Sequence, residues 1–165
     1  MDSNRIRNGD FTTGNFEHWT VSENDGTAKV VRDGSGYRAR VTLGKGKPVL
    51  LETARFSIRR PKFKLSLEVS LPEPGDDGAT TTLYCTLSGF EPSQPMPIIL
   101  LIPFTLSGTS TVFEYIGDMR SSVTEVQLSI ALAPVSNPKT LGPIYLDNVK
   151  YTVDLSNKSV VKTAP

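Results

Sequence analysis

Few residues in this chain of 165 could carry bond-making chemistry. It has one histidine, His18, and one cysteine, Cys85. A serine or cysteine nucleophile needs a base within hydrogen-bond reach, and that base needs a third group to orient it. His18 alone would have to serve, and no Gly-x-Ser-x-Gly turn presents a serine to it. Cys85 falls on the apolar parity of the run Leu83, Cys85, Leu87, where a thiol is buried and inert rather than activated. No glycine-rich loop leads into a helix to cradle phosphate, and no His or Cys pair has metal-ligand spacing. Carboxylates do pair, as at Asp76-Asp77, but side by side in a Pro/Gly loop, whereas glycoside hydrolysis holds its two carboxyls across a groove. The expectation is a protein that is not an enzyme.

Recognition chemistry is better represented. Tyr84 shares its parity with Thr82 and Thr86, opposite the apolar Leu83, Cys85 and Leu87, so its ring belongs to the polar face of a strand. Tyr115 shares parity with Phe113 against Val112, Glu114 and Ile116, and either face is open to it. Arg38, Arg40, Glu68 and Gln127 occupy polar-face positions of neighbouring runs. Flat rings flanked by such planar polar groups suit a hydroxyl-rich ligand, although an ordinary solvated sheet face shows the same pattern. The basic cluster Arg59-Arg60-Pro61-Lys62-Phe63-Lys64 would attract an acidic polymer or partner, or is simply a solvated turn.

The elements that must position these groups read as strands. From Lys62 to Leu71, Phe63, Leu65, Leu67, Val69 and Leu71 alternate with Lys62, Lys64, Ser66, Glu68 and Ser70. Such alternation puts successive side chains on opposite faces of an extended chain and fits an antiparallel sheet with one covered face. The same period runs through Tyr37, Ala39, Val41 and Leu43, and through Val126, Leu128, Ile130 and Leu132. Further β-rich runs cover Thr27 to Val31, Val49 to Ile58, Thr80 to Leu87, Ile98 to Leu106, Thr111 to Ile116 and Ile144 to Val153. In the last, the parity slips near Asp147-Asn148. Either a β-bulge inserts one residue there, or one parity faces a second apolar layer.

Thirteen glycines and twelve prolines gather between these runs, in Asn24-Asp25-Gly26, Asp33 to Gly36, Gly44 to Gly46, Pro72 to Gly78 and Pro134 to Pro138, where they serve reversals. No ten-residue stretch reads as an amphipathic helix. Short strands with regularly spaced turns imply an all-β chain, an antiparallel sandwich or barrel. One domain is expected over residues 1–153, with Asp154 to Pro165 as a loose tail.

Eighteen Lys and Arg against seventeen Asp and Glu leave a net charge of +1, far from the basic balance that nucleic acid demands. A lone cysteine rules out an intrachain disulfide. The longest apolar run, Ile98 to Ile102, is far short of the roughly 20 residues that span a bilayer. The amino terminus has no basic stretch followed by an apolar one, so no secretory signal is expected in the chain; the compartment stays open.

Three segments resemble a known family. Arg5-Ile6-Arg7-Asn8-Gly9-Asp10-Phe11, followed by Gly14 and Trp19, is similar to the opening of the jelly-roll carbohydrate-binding modules that accompany xylanases and glucanases. Asp33-Gly34-Ser35-Gly36-Tyr37-Arg38-Ala39-Arg40-Val41 resembles that family's Ser-Gly turn entering a strand, and Ile144-Tyr145-Leu146-Asp147-Asn148-Val149 its closing strand. Order and spacing match from about Asn4 to Thr152, nearly the whole chain. The resemblance implies a galactose-binding-domain-like jelly roll of antiparallel β-sandwich type, with Asn8 to Asp10 near Asp147 and Trp19 in the scaffold.

It also implies a structural calcium between the opening motif, the Ser-Gly turn and the closing Asp, which would draw on Asp147, Asp10 and main-chain oxygens around Ser35 and Tyr37. Calcium takes six to eight hard oxygens. The family's usual Glu after the opening Phe is Thr12 in this chain, which removes a carboxylate, and Asp147 and Asn148 could equally be bonding turn amides. The function implied is noncatalytic recognition of a carbohydrate on a sheet face, through Tyr84, Tyr115, Arg38, Arg40, Glu68 and Gln127. The competing reading is a structural or protein-interaction domain of a larger assembly that binds no sugar.

Overall fold

The computed structural model describes residues 3–71, 81–106, 110–133 and 142–153. The expected turns Pro72 to Gly78 and Pro134 to Pro138 and the tail Asp154 to Pro165 lie outside the described residues. Among the described residues eleven strands form two antiparallel sheets: β1 (Trp19–Ser22), β2 (Thr27–Asp33), β3 (Gly36–Thr42), β4 (Val49–Thr53), β5 (Phe56–Ser57), β6 (Lys62–Ser70), β7 (Thr81–Phe90), β8 (Ile98–Leu106), β9 (Ser110–Asp118), β10 (Glu125–Leu132) and β11 (Ile144–Val153). One sheet, here sheet A, has the order β1-β4-β10-β7-β8, with β5 also paired to β10; sheet B has the order β2-β3-β11-β6-β9. Among the described residues there is no helix, and none is long and apolar enough to cross a membrane.

The period-two stripes form the interior. Phe63, Leu65, Leu67 and Val69 of β6 meet Leu83, Cys85 and Leu87 of β7 and Val126, Leu128, Ile130 and Leu132 of β10 in one buried cluster. Each such side chain, moved wholly out of water, contributes about 1.5–3 kcal/mol before conformational entropy is charged against it. The run expected from Val49 to Ile58 is broken at Ala54-Arg55 into β4 and β5. The Gln127 amide fills that break by donating to the Thr53 carbonyl at 2.9 Å. Strand β1 carries too short a pattern to be read from sequence. Its Trp19 is buried, and the indole N–H donates to the Asn8 carbonyl at 3.0 Å.

The two ends of the chain close the sandwich. The Val149 amide donates to the Gly9 carbonyl at 2.9 Å, and Arg5 donates its own to Tyr151 at 2.9 Å. The Asn4 side chain clasps the same strand, giving its amide N–H to the Val149 carbonyl and accepting from the Tyr151 amide, each at 2.9 Å. Asn8 and Phe11 turn the opening loop at φ of 54° and 55°, a region that Asn tolerates better than most residues. The parity slip in β11 is a bulge: the register to β6 shifts between Asp147 and Lys150, with Asn148 at φ 47°. That extra residue keeps Ile144 and Leu146 on one side of it, and Val149 and Tyr151 on the other, all facing the core.

Candidate functional site

Strand pairing in sheet A sets three rows of side chains across its outer face. Ala131, Tyr84 and Pro103 form one row, Glu52, Ser129, Thr86 and Leu101 the next, and Gln127, Ser88 and Ile99 the third. Tyr84, on β7 beside the edge strand, is 37% exposed, and the edge strand β8 adds Ile99 and Leu101, more than half exposed. The result is an apolar shelf on β7 and β8 beside hydroxyl, amide and carboxylate groups on β4, β7 and β10. Further along β7, Phe90 faces the same way, and the Arg55 guanidinium stacks on its ring 3.6 Å from the centroid. Contacts of this kind hold a guanidinium in place while leaving its N–H groups free.

The residues expected to recognise a ligand do not all meet. Tyr84 and Gln127 share the outer face of sheet A. Arg38, Arg40 and Glu68 lie on the outer face of sheet B, on the far side of the core. Tyr115 departs from the expected place beside Tyr84 on a ligand face: opposite Leu65 in the β6–β9 ladder, it packs inward, its ring centroid 6.0 Å from that of Phe63. Val112, Glu114 and Ile116 of β9 are exposed whereas Phe113 and Tyr115 are half-buried, so the ambiguous parity resolved against the tyrosine. Arg38 is occupied structurally. It pairs with Asp33, donates to the Ser70 hydroxyl at 3.0 Å and lies over the Tyr145 ring at 4.9 Å. Sequence alone gave no signal for Leu101, Ile99 or the Arg55–Phe90 stack, because each depends on which strands become neighbours.

The implied calcium donors converge in part. Asp147, at the bulge, lines a depression of about 200 Å³ on sheet B with Arg38 and Glu68. Its carboxyl is held above the ordinary carboxylate value, first by desolvation and then by the nearby Glu68 and Asp10 charges, against the Asn148 amide and Arg38. Oδ1 of Asp147 accepts from the Asn148 amide at 2.7 Å, and the Asp10 carboxylate accepts from the Thr12 amide and hydroxyl. Tyr37 reaches the opening loop, where a Cβ on Gly14 would sit 3.5 Å from its ring, while Ser35 is exposed in the turn. Among the described residues no three His, Cys, Asp or Glu are placed to share a metal ion. Asp147 and Asp10 are the hard carboxylate donors present, and a calcium ion, which takes six to eight oxygens, would draw the rest of its shell from backbone or water.

No protein-family model matches the chain, and no curated protein does. Solved structures do. The enzymatically active domain of bacteriophage CBA120 tailspike protein 4 superposes with a TM-score of 0.68 at 14% identity, over 91% of this chain and 21% of that one. TmCBM61 in complex with β-1,4-galactotriose gives 0.65 at 13%, over 90% and 97%. The CBM22-1-GH10 modules of Clostridium thermocellum endo-1,4-β-D-xylanase 10B, complexed with xylohexaose, give 0.67 at 15%, over 93% and 29%. The fold is that of the β-sandwich carbohydrate-binding modules. Against TmCBM61 the match covers nearly the whole of both chains; against the tailspike and the xylanase it covers well under half of theirs.

Proposed function

We propose that the chain is a noncatalytic carbohydrate-binding module whose ligand lies on the outer face of sheet A. The observation that carries this reading is the position of Tyr84: an exposed ring on β7, beside the edge strand β8, with Pro103 and Ala131 in its own row, Leu101, Thr86 and Ser129 in the next, and Ile99 and Ser88 one row further on. The C–H face of a pyranose packs on such a ring, and its hydroxyls bond the neighbouring side chains. Gln127 commits one amide N–H to Thr53, which leaves its Oε1 and its second N–H to offer to ligand. Structural neighbours described as complexes with galactotriose and xylohexaose support the class of ligand. Burial pushes the Cys85 thiol up to about 12, so that thiol is not an activated nucleophile.

Asp147, with Asp10 nearby, would hold a structural calcium that relieves the repulsion among these carboxylates and pins the bulge. The test of the main reading is a glycan array. Selective binding that falls at least about tenfold in Tyr84→Ala, as expected when one of few anchors is lost, with an unchanged melting curve, is the expected result. Silence across neutral and acidic glycans, with a protein partner recovered instead, would overturn it. For calcium, EDTA should lower the melting midpoint, because a ligand bound only by the folded state stabilises it; an unchanged midpoint would remove the metal.

A further inference from the structure

A second concavity adjoins this face. It measures about 520 Å³ and is lined by Arg5, Arg7, His18 and Arg55, with Asn4 and Ser57 among the polar groups around them; none of its lining residues is acidic. Arg5 and Arg7 flank the buried Ile6 on the N-terminal segment, which the Arg5 amide fixes to β11. The Ala54 amide donates to the His18 carbonyl at 3.2 Å, which fixes the β4–β5 break beside it. Among the described residues Arg5, Arg7 and Arg55 make no ion pair; the nearest contact of this kind is the exposed Glu17, 3.9 Å from His18. Three unpaired guanidiniums around one cleft, in a chain of net charge only +1, are a local concentration of positive charge. Like charges so gathered repel unless an anion joins them, and guanidinium forks match carboxylate and sulfate oxygens.

Two residues of the cleft also touch side chains of the sheet face. Arg55 lines the first and stacks on Phe90 in the second, and Thr53 lines the cleft while its carbonyl holds Gln127. We infer that the cleft is an anion subsite of the sugar face, and that the glycan recognised is an acidic one whose carboxylate or sulfate seats among Arg5, Arg7 and Arg55. This rests on the carbohydrate reading above and narrows it to a substrate class. A chain crossing the face along Tyr84 and Phe90 would reach the cleft with its next charged residue.

Calorimetric titration tests this with four probes: a galacturonic acid oligomer, the same oligomer with its carboxylates reduced to alcohols, a sulfated galactan oligomer, and polyglutamate. At low salt an anionic oligomer, carboxylated or sulfated, should bind about tenfold tighter than the neutral one, a difference of about 1.4 kcal/mol, and added NaCl should shrink the gap. Whichever anionic oligomer binds tighter identifies the group. In Arg5→Gln/Arg7→Gln, whose backbone bonds are untouched, the ratio should fall to about one. Equal binding of neutral and anionic oligomers by the wild type would overturn the inference and leave the carbohydrate reading standing, as would a preference that survives the double substitution. Failure of every oligosaccharide to bind would overturn both. Polyglutamate held as tightly as the acidic oligomers would overturn the glycan class.

Discussion

Closure of the sandwich by its own ends predicts a large effect from a single methyl group. In Gly9→Ala the new Cβ would stand 2.0 Å from the Val149 carbonyl oxygen and 3.1 Å from Asn4 Nδ2. No side chain can be turned aside to make room, since the nearest atom is backbone. The opening loop must lift from β11, which breaks the Val149 amide bond to Gly9 and disturbs both bonds that Asn4 makes to β11. At about 1 kcal/mol for each hydrogen bond, three of them are worth about 2–4 kcal/mol. For a domain of this size each kcal/mol moves the midpoint by roughly 2–4 °C, so thermal unfolding followed by circular dichroism should shift down by roughly 5–15 °C. Gly34→Ala is the control. Gly34 has a positive φ of 59° but nothing within 4 Å of an added Cβ, so only backbone strain of about 1–2 kcal/mol is imposed, partly offset by a stiffer unfolded chain. A midpoint for Gly9→Ala no lower than that of Gly34→Ala would refute the account of how the ends are joined.

Other outcomes follow from buried polar groups. Among the described residues the buried Tyr151 hydroxyl has no hydrogen-bond partner, and its ring stacks on Phe63 at 4.9 Å; Tyr151→Phe keeps the stack and should leave the midpoint unchanged or raise it by the equivalent of about 1 kcal/mol, whereas a drop in chemical denaturation would expose a missed partner. Asp147 is raised in the folded state, so the fold favours its protonated form: that stabilisation is complete below the ordinary carboxylate value and is lost as pH rises through the raised one. In EDTA, Asp147→Asn should therefore gain stability over wild type between acid and neutral pH, and in calcium the advantage should disappear as only the wild type binds; melting curves at several pH values check both. Cys85, raised to about 12 by burial, should resist iodoacetamide at pH 8 until denaturant is added, and labelling of the native protein by mass spectrometry would contradict its placement.

Most of the fold was legible because the side-chain period of a half-buried strand is two. Phe63, Leu65, Leu67 and Val69 declare their face without any knowledge of their neighbours, and all four are buried. The phase slip at Asp147-Asn148 was visible for the same reason, although the period alone left a bulge and a second apolar layer equally open. What the period cannot do is assign strands to sheets. Tyr84 and Gln127 share one face only because β10 pairs with β7, while Arg38, Arg40 and Glu68 are carried to the other sheet by the crossing from β3 to β11 and β6. Tyr115 failed for a narrower reason: β9 is an edge strand whose outward residues include Val112 and Ile116, so apolar character did not mark its inner face. The cationic cleft joins residues 5 and 7 to residue 55, a juxtaposition set by long-range pairing alone.

The most direct measurement is an amide and aromatic chemical-shift titration of the protein with an oligosaccharide that it binds. The account predicts perturbations centred on the Tyr84 ring, spreading to the amides of Thr86, Ser88, Ser129 and Leu101 and to the Gln127 side chain. Shifts confined to Arg38, Glu68 and Asp147 on sheet B would contradict it, for they would put the ligand on the opposite side of the molecule.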